Sequence, residues 1–260
     1  MNFDYTEEQS ILLDNLRRMM DTAATPEYIR EHDENGLYPY EVYEAWVAMG
    51  LIGLPFPESY GGFGGNVIDM ALVGEELGRK AYSFLEAYGL SVFSGLSLLN
   101  NGNEEQKRIW LPRLIKGEIR MSISMTEPDA GSDAGNMRTL ATRDGNDWVI
   151  NGQKVFSTAA DARNNVITLY CKTDLEAPYQ KGITAFLVPN DTPGVETRRL
   201  RTFGANMLGL NEVFFDNVRI SDTQRIGAVN GGWNCMLSGL LFERIVTTAG
   251  NAGNAQTVVD

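Results

Sequence analysis

Few residue types in this chain can do chemistry, which narrows the search. There is one histidine, His32, and there are two cysteines, Cys171 and Cys235. None of the three has a neighbour at metal-ligand spacing, so metal and thiol chemistry are not expected. His32 lies between Glu31 and Asp33 and reads as a surface residue; the cysteines read as packing residues. Glu243 is more informative. On a helix it shares a face with Leu240 and Met236. A carboxyl on an apolar face is either solvated at the rim or buried for a purpose, and burial in a cleft would raise its pKa into the range of a general base. The segment Met125-Thr126-Glu127-Pro128-Asp129-Ala130-Gly131-Ser132-Asp133 is a good turn on composition alone, and Gly131 permits a close approach to the backbone. Phe156-Ser157-Thr158 ends a strand, and taken alone Phe156 reads as a core aromatic.

These residues need elements to hold them. Up to about residue 119 the sequence reads as helices. Thr6 caps the first, with Gln9 closing a capping box. Others are predicted over Tyr40–Met49, Val67–Lys80 and Tyr82–Leu99, and from the Asn103 cap, with Gln106 in the capping-box position, to Ile115. The Pro- and Gly-rich stretch Pro55–Gly65 between them is an irregular loop. From 120 to 228 the pattern is that of strands: Arg120–Thr126, Val166–Lys172, Gly182–Pro189, Val195–Arg199 and Glu212–Ile220. A hairpin is predicted from Trp148–Ile150 to Gln153–Thr158, turning at Asn151-Gly152. From 229 to 260 helical periodicity returns, with Trp233, Met236, Leu237, Leu240, Leu241, Arg244 and Thr248 on one stripe. The fold class is therefore multi-domain α and β: an all-α domain, a barrel-like all-β domain, and a helix that opens a further domain.

Composition sets outer bounds. Hydrophobic residues make up 43% and charged residues 22%, as in soluble globular proteins. A formal net charge of -12 disfavours nucleic acid as a partner. There is no signal-like start and no stretch long enough to span a membrane, so the expectation is a soluble, cytoplasmic protein.

Several motifs together resemble the acyl-CoA dehydrogenase family. They are Pro57-Glu58-Ser59-Tyr60-Gly61-Gly62, Glu75-Glu76-Leu77-Gly78-Arg79, and Asn103–Lys107 running through Leu111-Pro112 to Lys116-Gly117-Glu118. Met125–Asp133, followed by Asn151-Gly152-Gln153-Lys154, and Leu240-Leu241-Phe242-Glu243-Arg244 complete the set. The likeness runs in order along the whole chain.

The resemblance implies a helical domain, a β domain and a C-terminal four-helix bundle, of which only the first helix is expected here; the 260-residue chain alone would then be inactive and hold FAD weakly or not at all. It implies FAD as cofactor, an acyl-CoA thioester as substrate, an electron-transfer flavoprotein as electron acceptor, and a homo-oligomer. The implied reaction is α,β-dehydrogenation: a glutamate takes the α-proton and the β-hydrogen leaves as hydride to flavin N5. Ile123, Ser124, Met125, Thr126, Gly131 and Ser132 fall in the family's main flavin-binding stretch. Thr126 and the Met125 and Thr126 backbone N–H groups would meet the polar edge of the ring, and Gly131 and Ser132 the pyrophosphate. Phe156 stands where the family has an aromatic residue against the flavin, and Thr158 where a hydroxyl approaches N5. Ser157 departs from the apolar residue usual there. Glu243 matches one of the family's two base positions; the other would lie beyond Asp260. Ser132, Leu240 and Arg244 are the implied substrate contacts. Acyl-CoA oxidase, enoyl-CoA reductase, and an inactive fragment or non-catalytic subunit of a hetero-oligomer are the alternatives.

Overall fold

The computed structural model describes residues 4–260. Helices α1 (Glu7–Ala23), α2 (Pro26–Asn35), α3 (Tyr40–Ala48), α4 (Val67–Lys80), α5 (Tyr82–Asn101) and α6 (Glu104–Ile115) come first. Strands β1 (Arg120–Ser124), β2 (Leu140–Asp144), β3 (Asp147–Thr158), β4 (Asn165–Lys172), β5 (Ile183–Pro189), β6 (Val195–Arg199), β7 (Leu210–Ser221) and β8 (Arg225–Ile226) follow, and then α7 (Gly232–Val259). The expected capping boxes form at Thr6 and Asn103, and Asn66 with Asp69 makes a third at the start of α4. Helix α2 was not expected. It buries no residue fully, which hides it from a periodicity argument, although Thr25, Pro26 and the left-handed Gly36 mark its two ends. His32 lies on it half-buried, stacked on Tyr28 at 3.7 Å between ring centroids, rather than freely exposed.

The eight strands form one sheet in the order β6-β7-β3-β2-β4-β5-β8, with β1 parallel to β4. It is open, which corrects the barrel-like expectation. Strand β6 pairs with β7 and β8 with β5, and no ladder joins these two ends. The β6 edge carries Glu196, Arg198 and Arg199, charges that discourage further pairing.

The expected hairpin at Asn151-Gly152 is also absent. Both residues lie inside the single strand β3, and the turn falls earlier, at Gly145 between β2 and β3. Gly152 is demanded by packing instead. Its φ is +147°, and a Cβ there would lie 2.6 Å from Thr139 Oγ1. Asn151 Oδ1 accepts from Asn217 N at 2.9 Å, where β7 bulges opposite it. The Asn-Gly pair thus serves a cross-strand irregularity.

Helix α7 is rotated away from its apolar stripe. Its buried face is Gly232, Cys235, Met236, Gly239, Val246, Gly250 and Gly253. Leu237 and Leu241 are 47% and 62% exposed, and Arg244 and Thr248 also face outward. The cause is contact with α4 at nearly backbone distance. A Cβ on Gly78 would lie 2.1 Å from Gly250 O, and one on Gly253 would lie 2.0 Å from Glu75 O. Dispersion over this tight seam outweighs burial of two leucines. Gly78→Ala should therefore destabilise the protein by about 1–3 kcal/mol through overpacking. Gly204→Ala, where an added Cβ meets nothing within 4 Å, should stay within about 0.5 kcal/mol. Denaturant unfolding of both variants measures the difference.

Candidate functional site

The segment after β1 is held by a buried ion pair. Lys154 is fully buried on β3, and its Nζ donates to Glu127 Oε1 at 2.7 Å and to Met125 O at 2.9 Å. The other donors to the Glu127 carboxylate are the backbone N–H groups of Arg138, at 2.6 Å, and Thr139, at 2.9 Å. Burial pushes the Glu127 pKa up, but the Lys154 charge and these hydrogen bonds outweigh it and hold the carboxyl below its usual value. Val155 N donates to Thr126 O at 2.9 Å, so β3 grips Met125, Thr126 and Glu127 in succession.

Beyond Lys154, β3 bulges. Lys154 pairs with Val213 and Ser157 with Asn211, so Val155 and Phe156 together oppose Glu212 alone. Phe156 takes φ +59°, a conformation that costs a non-glycine residue about 1–3 kcal/mol. Its ring is 60% exposed at the rim of a cleft, which removes the core-aromatic reading. Ser157 points the other way, is buried, and accepts from Ser124 Oγ at 2.8 Å. These two serines clamp β1 to β3 and leave the cleft to their neighbours.

The cleft has a volume of about 260 Å³ and lies between α5, the end of β1, the β3 bulge and α7. Ile123, Met125, Thr126, Phe156 and Thr158 line it from the sheet, and Leu240 and Glu243 from α7. Ser124, Ser157, Gly131, Ser132 and Arg244 do not line it. Gly131 and Ser132 lie in the exposed turn just outside, where a Cβ on Gly131 would meet only Thr126 Cγ2, at 4.0 Å. The chain's own packing leaves that side of the turn open. Burial raises the Glu243 pKa, and Arg244 offsets this only in part. A second carboxyl, Glu86, lines the α5 wall; burial, and then the charge of Glu243, push its pKa up to about 7. Among the described residues no group of His, Cys, Asp and Glu side chains could hold a metal ion, and no helix is long and apolar enough to cross a membrane.

Known proteins share this arrangement. Residues 6–118 match the profile of the acyl-CoA dehydrogenase N-terminal domain, and residues 122–218 that of its middle domain. A probable acyl-CoA dehydrogenase of Bacillus subtilis (strain 168), YngJ, is 34% identical over 100% of this chain and 68% of its own length. The chain belongs to the acyl-CoA dehydrogenase family. Similarity extends to the (2S)-methylsuccinyl-CoA dehydrogenase of Cereibacter sphaeroides, 35% identical over 98% of this chain but 48% of that protein. Among solved structures, a glutaryl-CoA dehydrogenase from Mycobacterium smegmatis in complex with FADH2 superimposes with a TM-score of 0.86. It is 30% identical, over 97% of this chain and 64% of that one. The chain spans about half to two-thirds of the length of these relatives.

In this acyl-CoA dehydrogenase family member, sequence reasoning missed the whole α5 wall: Tyr82, Glu86, Phe93, Ser94 and Ser97 line the cleft with Tyr170 of β4. A signal was present, because Glu86 is the one charged residue of α5. The Lys154–Glu127 pair generates a test. Lys154→Met leaves a buried carboxylate without its cation and should cost about 3–5 kcal/mol at neutral pH. Because the folded-state pKa of Glu127 is depressed, its contribution is present above the ordinary carboxylate pKa and is lost as pH falls through the folded value. Unfolding midpoints of wild type and variant should converge as the pH is lowered through that window.

Proposed function

We propose that this chain carries the flavin-facing and substrate-facing walls of an FAD-dependent acyl-CoA dehydrogenase, with Glu243 as the base that removes the α-proton. The observation behind this is a half-buried carboxyl with a raised pKa, across a cleft from an exposed aromatic ring held at an unfavourable φ. Strain of that kind persists only where the surroundings enforce it, and it concentrates at functional sites. The residues fit a flavin on two counts. Phe156 offers an aromatic face at the cleft rim, and the turn at Gly131 leaves open space beside Thr126. FAD, when bound, supplies the hydride acceptor for the β-hydrogen.

The chain's own groups divide the remaining work. Met125 and Thr126, fixed by β3, present polar groups to the ring edge, and Gly131 with Ser132 lies towards the pyrophosphate. Thr158 adds a hydroxyl beside Phe156. Leu240 forms part of the apolar wall for the acyl chain. Arg244 and Ser132, both outside the cleft, serve the CoA arm rather than the reacting carbons in this reading. Desolvation in the cleft makes Glu243 a stronger base towards the α-carbon than a solvated carboxylate. Electrons then pass to an electron-transfer flavoprotein, and the working enzyme is a homo-oligomer.

Glu243→Gln keeps the side chain's shape and removes the base. In the full-length, flavin-loaded enzyme, flavin reduction by acyl-CoA, followed anaerobically as loss of flavin absorbance, should slow by about 10²–10⁴-fold while FAD stays bound. In the wild type, kcat/KM should rise with pH through a midpoint above the ordinary carboxylate range, because the base acts deprotonated and its pKa is raised. A variant that bleaches at the wild-type rate would exclude Glu243 as the base.

A further inference from the structure

The cleft holds one carboxyl more than α-proton removal needs. Among the described residues lining it, the acidic side chains are Glu86 and Glu243, and no Lys, Arg or His is present. The other titratable groups facing in are the hydroxyls of Tyr82 and Tyr170. Both are pushed up in pKa, chiefly by burial, and stay neutral at physiological pH. Glu86 projects from α5 on the face that carries Leu90, Phe93, Ser94 and Ser97, so it belongs to the wall that bounds the acyl chain. Among the described residues no salt bridge offsets its burial, unlike that of Glu127. A half-buried carboxyl with no cation stays partly protonated until a ligand completes it.

A second observation points the same way. Ser94 is fully buried on that face, lines the cleft, and its Oγ has no hydrogen-bond partner. Buried polar side chains are seldom left unpaired. One wall of the pocket thus offers a carboxyl and an unused hydroxyl along the same helical face.

We propose that Glu86, with Ser94, selects acyl thioesters whose acyl group carries a positively charged amine, and rejects those that end in a carboxylate. The inference rests on the acyl-CoA reading given above. An ammonium group provides both the missing charge and the hydrogen-bond donors, and its arrival restores Glu86 to the ionised form. A terminal carboxylate would instead add a third acidic group to Glu86 and Glu243 in a site with no cation to offset its charge. An acyl group ending in a carboxylate, like the methylsuccinyl group in the name of that relative, is therefore not expected here.

The test uses flavin-loaded protein and CoA thioesters matched in length. One set is 3-aminopropanoyl-, butanoyl- and succinyl-CoA; the other is 6-aminohexanoyl-, heptanoyl- and pimeloyl-CoA. Isothermal titration calorimetry gives affinities, and anaerobic flavin bleaching gives turnover. In at least one set the amine should bind at least tenfold more tightly than the matched dicarboxylic thioester and more tightly than the neutral one. Glu86→Gln should reduce the amine-to-carboxylate ratio at least fivefold, a readout that a purely structural role for Glu86 would leave unmoved. The ratio in wild-type protein stands as a test even if that variant folds poorly. If neutral thioesters bind and bleach the flavin but the amines hold no advantage in either set, this inference is wrong and the reaction assignment survives. If no thioester binds or bleaches the flavin, both fall.

Discussion

The Lys154–Glu127 pair is the contact on which the geometry of the cleft depends. A buried ion pair is not in itself a gain in stability, since desolvating two charges costs about as much as their attraction returns. What it provides here is definition. Lys154 reaches the Met125 carbonyl as well as the carboxylate, and Glu127 collects the N–H groups of Arg138 and Thr139. One buried network therefore ties the end of β1, the turn that follows, the start of β2 and the middle of β3. The bulge begins at the next residue, so the turn of Phe156 into the cleft starts from a fixed point.

The opposite wall is positioned by a different force. Helix α7 lies on α4 with little between the two backbones, and Glu243 takes its place in the cleft from that contact. Hydrogen bonds support it along its length. Ser97 donates to Cys235 O, Asn101 to Ser238 Oγ, and Thr257 to Arg79 O. Electrostatics fixes the sheet side of the site and steric contact fixes the helix side, with α5 spanning the space between.

Much of this could be read from residue types. The caps at Thr6 and Asn103, the span of α4, and the strands around β4, β5 and β6 follow from local chemistry and periodicity. Six of the ten proposed flavin and base residues lie on the cleft: Ile123, Met125, Thr126, Phe156, Thr158 and Glu243. The misreadings have particular causes. Asn151-Gly152 is a turn signal by composition, but Gly152 answers to Thr139 across the sheet, a contact that no local window contains. The leucines of α7 suggested its buried face, whereas its glycines decide it, because close approach is a property of the partner helix as much as of α7. Ser124 and Ser157 were expected at the flavin; strand alternation and the bulge turn them towards each other. Glu86 went unnoticed because one acidic residue in a long apolar helix carries no pattern.

The glycine seam also bears on how such a site can change over time. Little separates α4 from α7, so the helix has no room to slide or tilt: a Cβ on Gly78 or Gly253 meets backbone, and one on Gly74 or Gly250 meets the side chain of Val246 or Leu85. Variation that alters the pocket's contents would enter elsewhere, and α5 is the wall that faces the proposed base across the cleft. The scaffold in effect separates two tasks: α7 is held in one position and carries the proposed base, and α5 presents the inner face on which the proposed choice of acyl group depends.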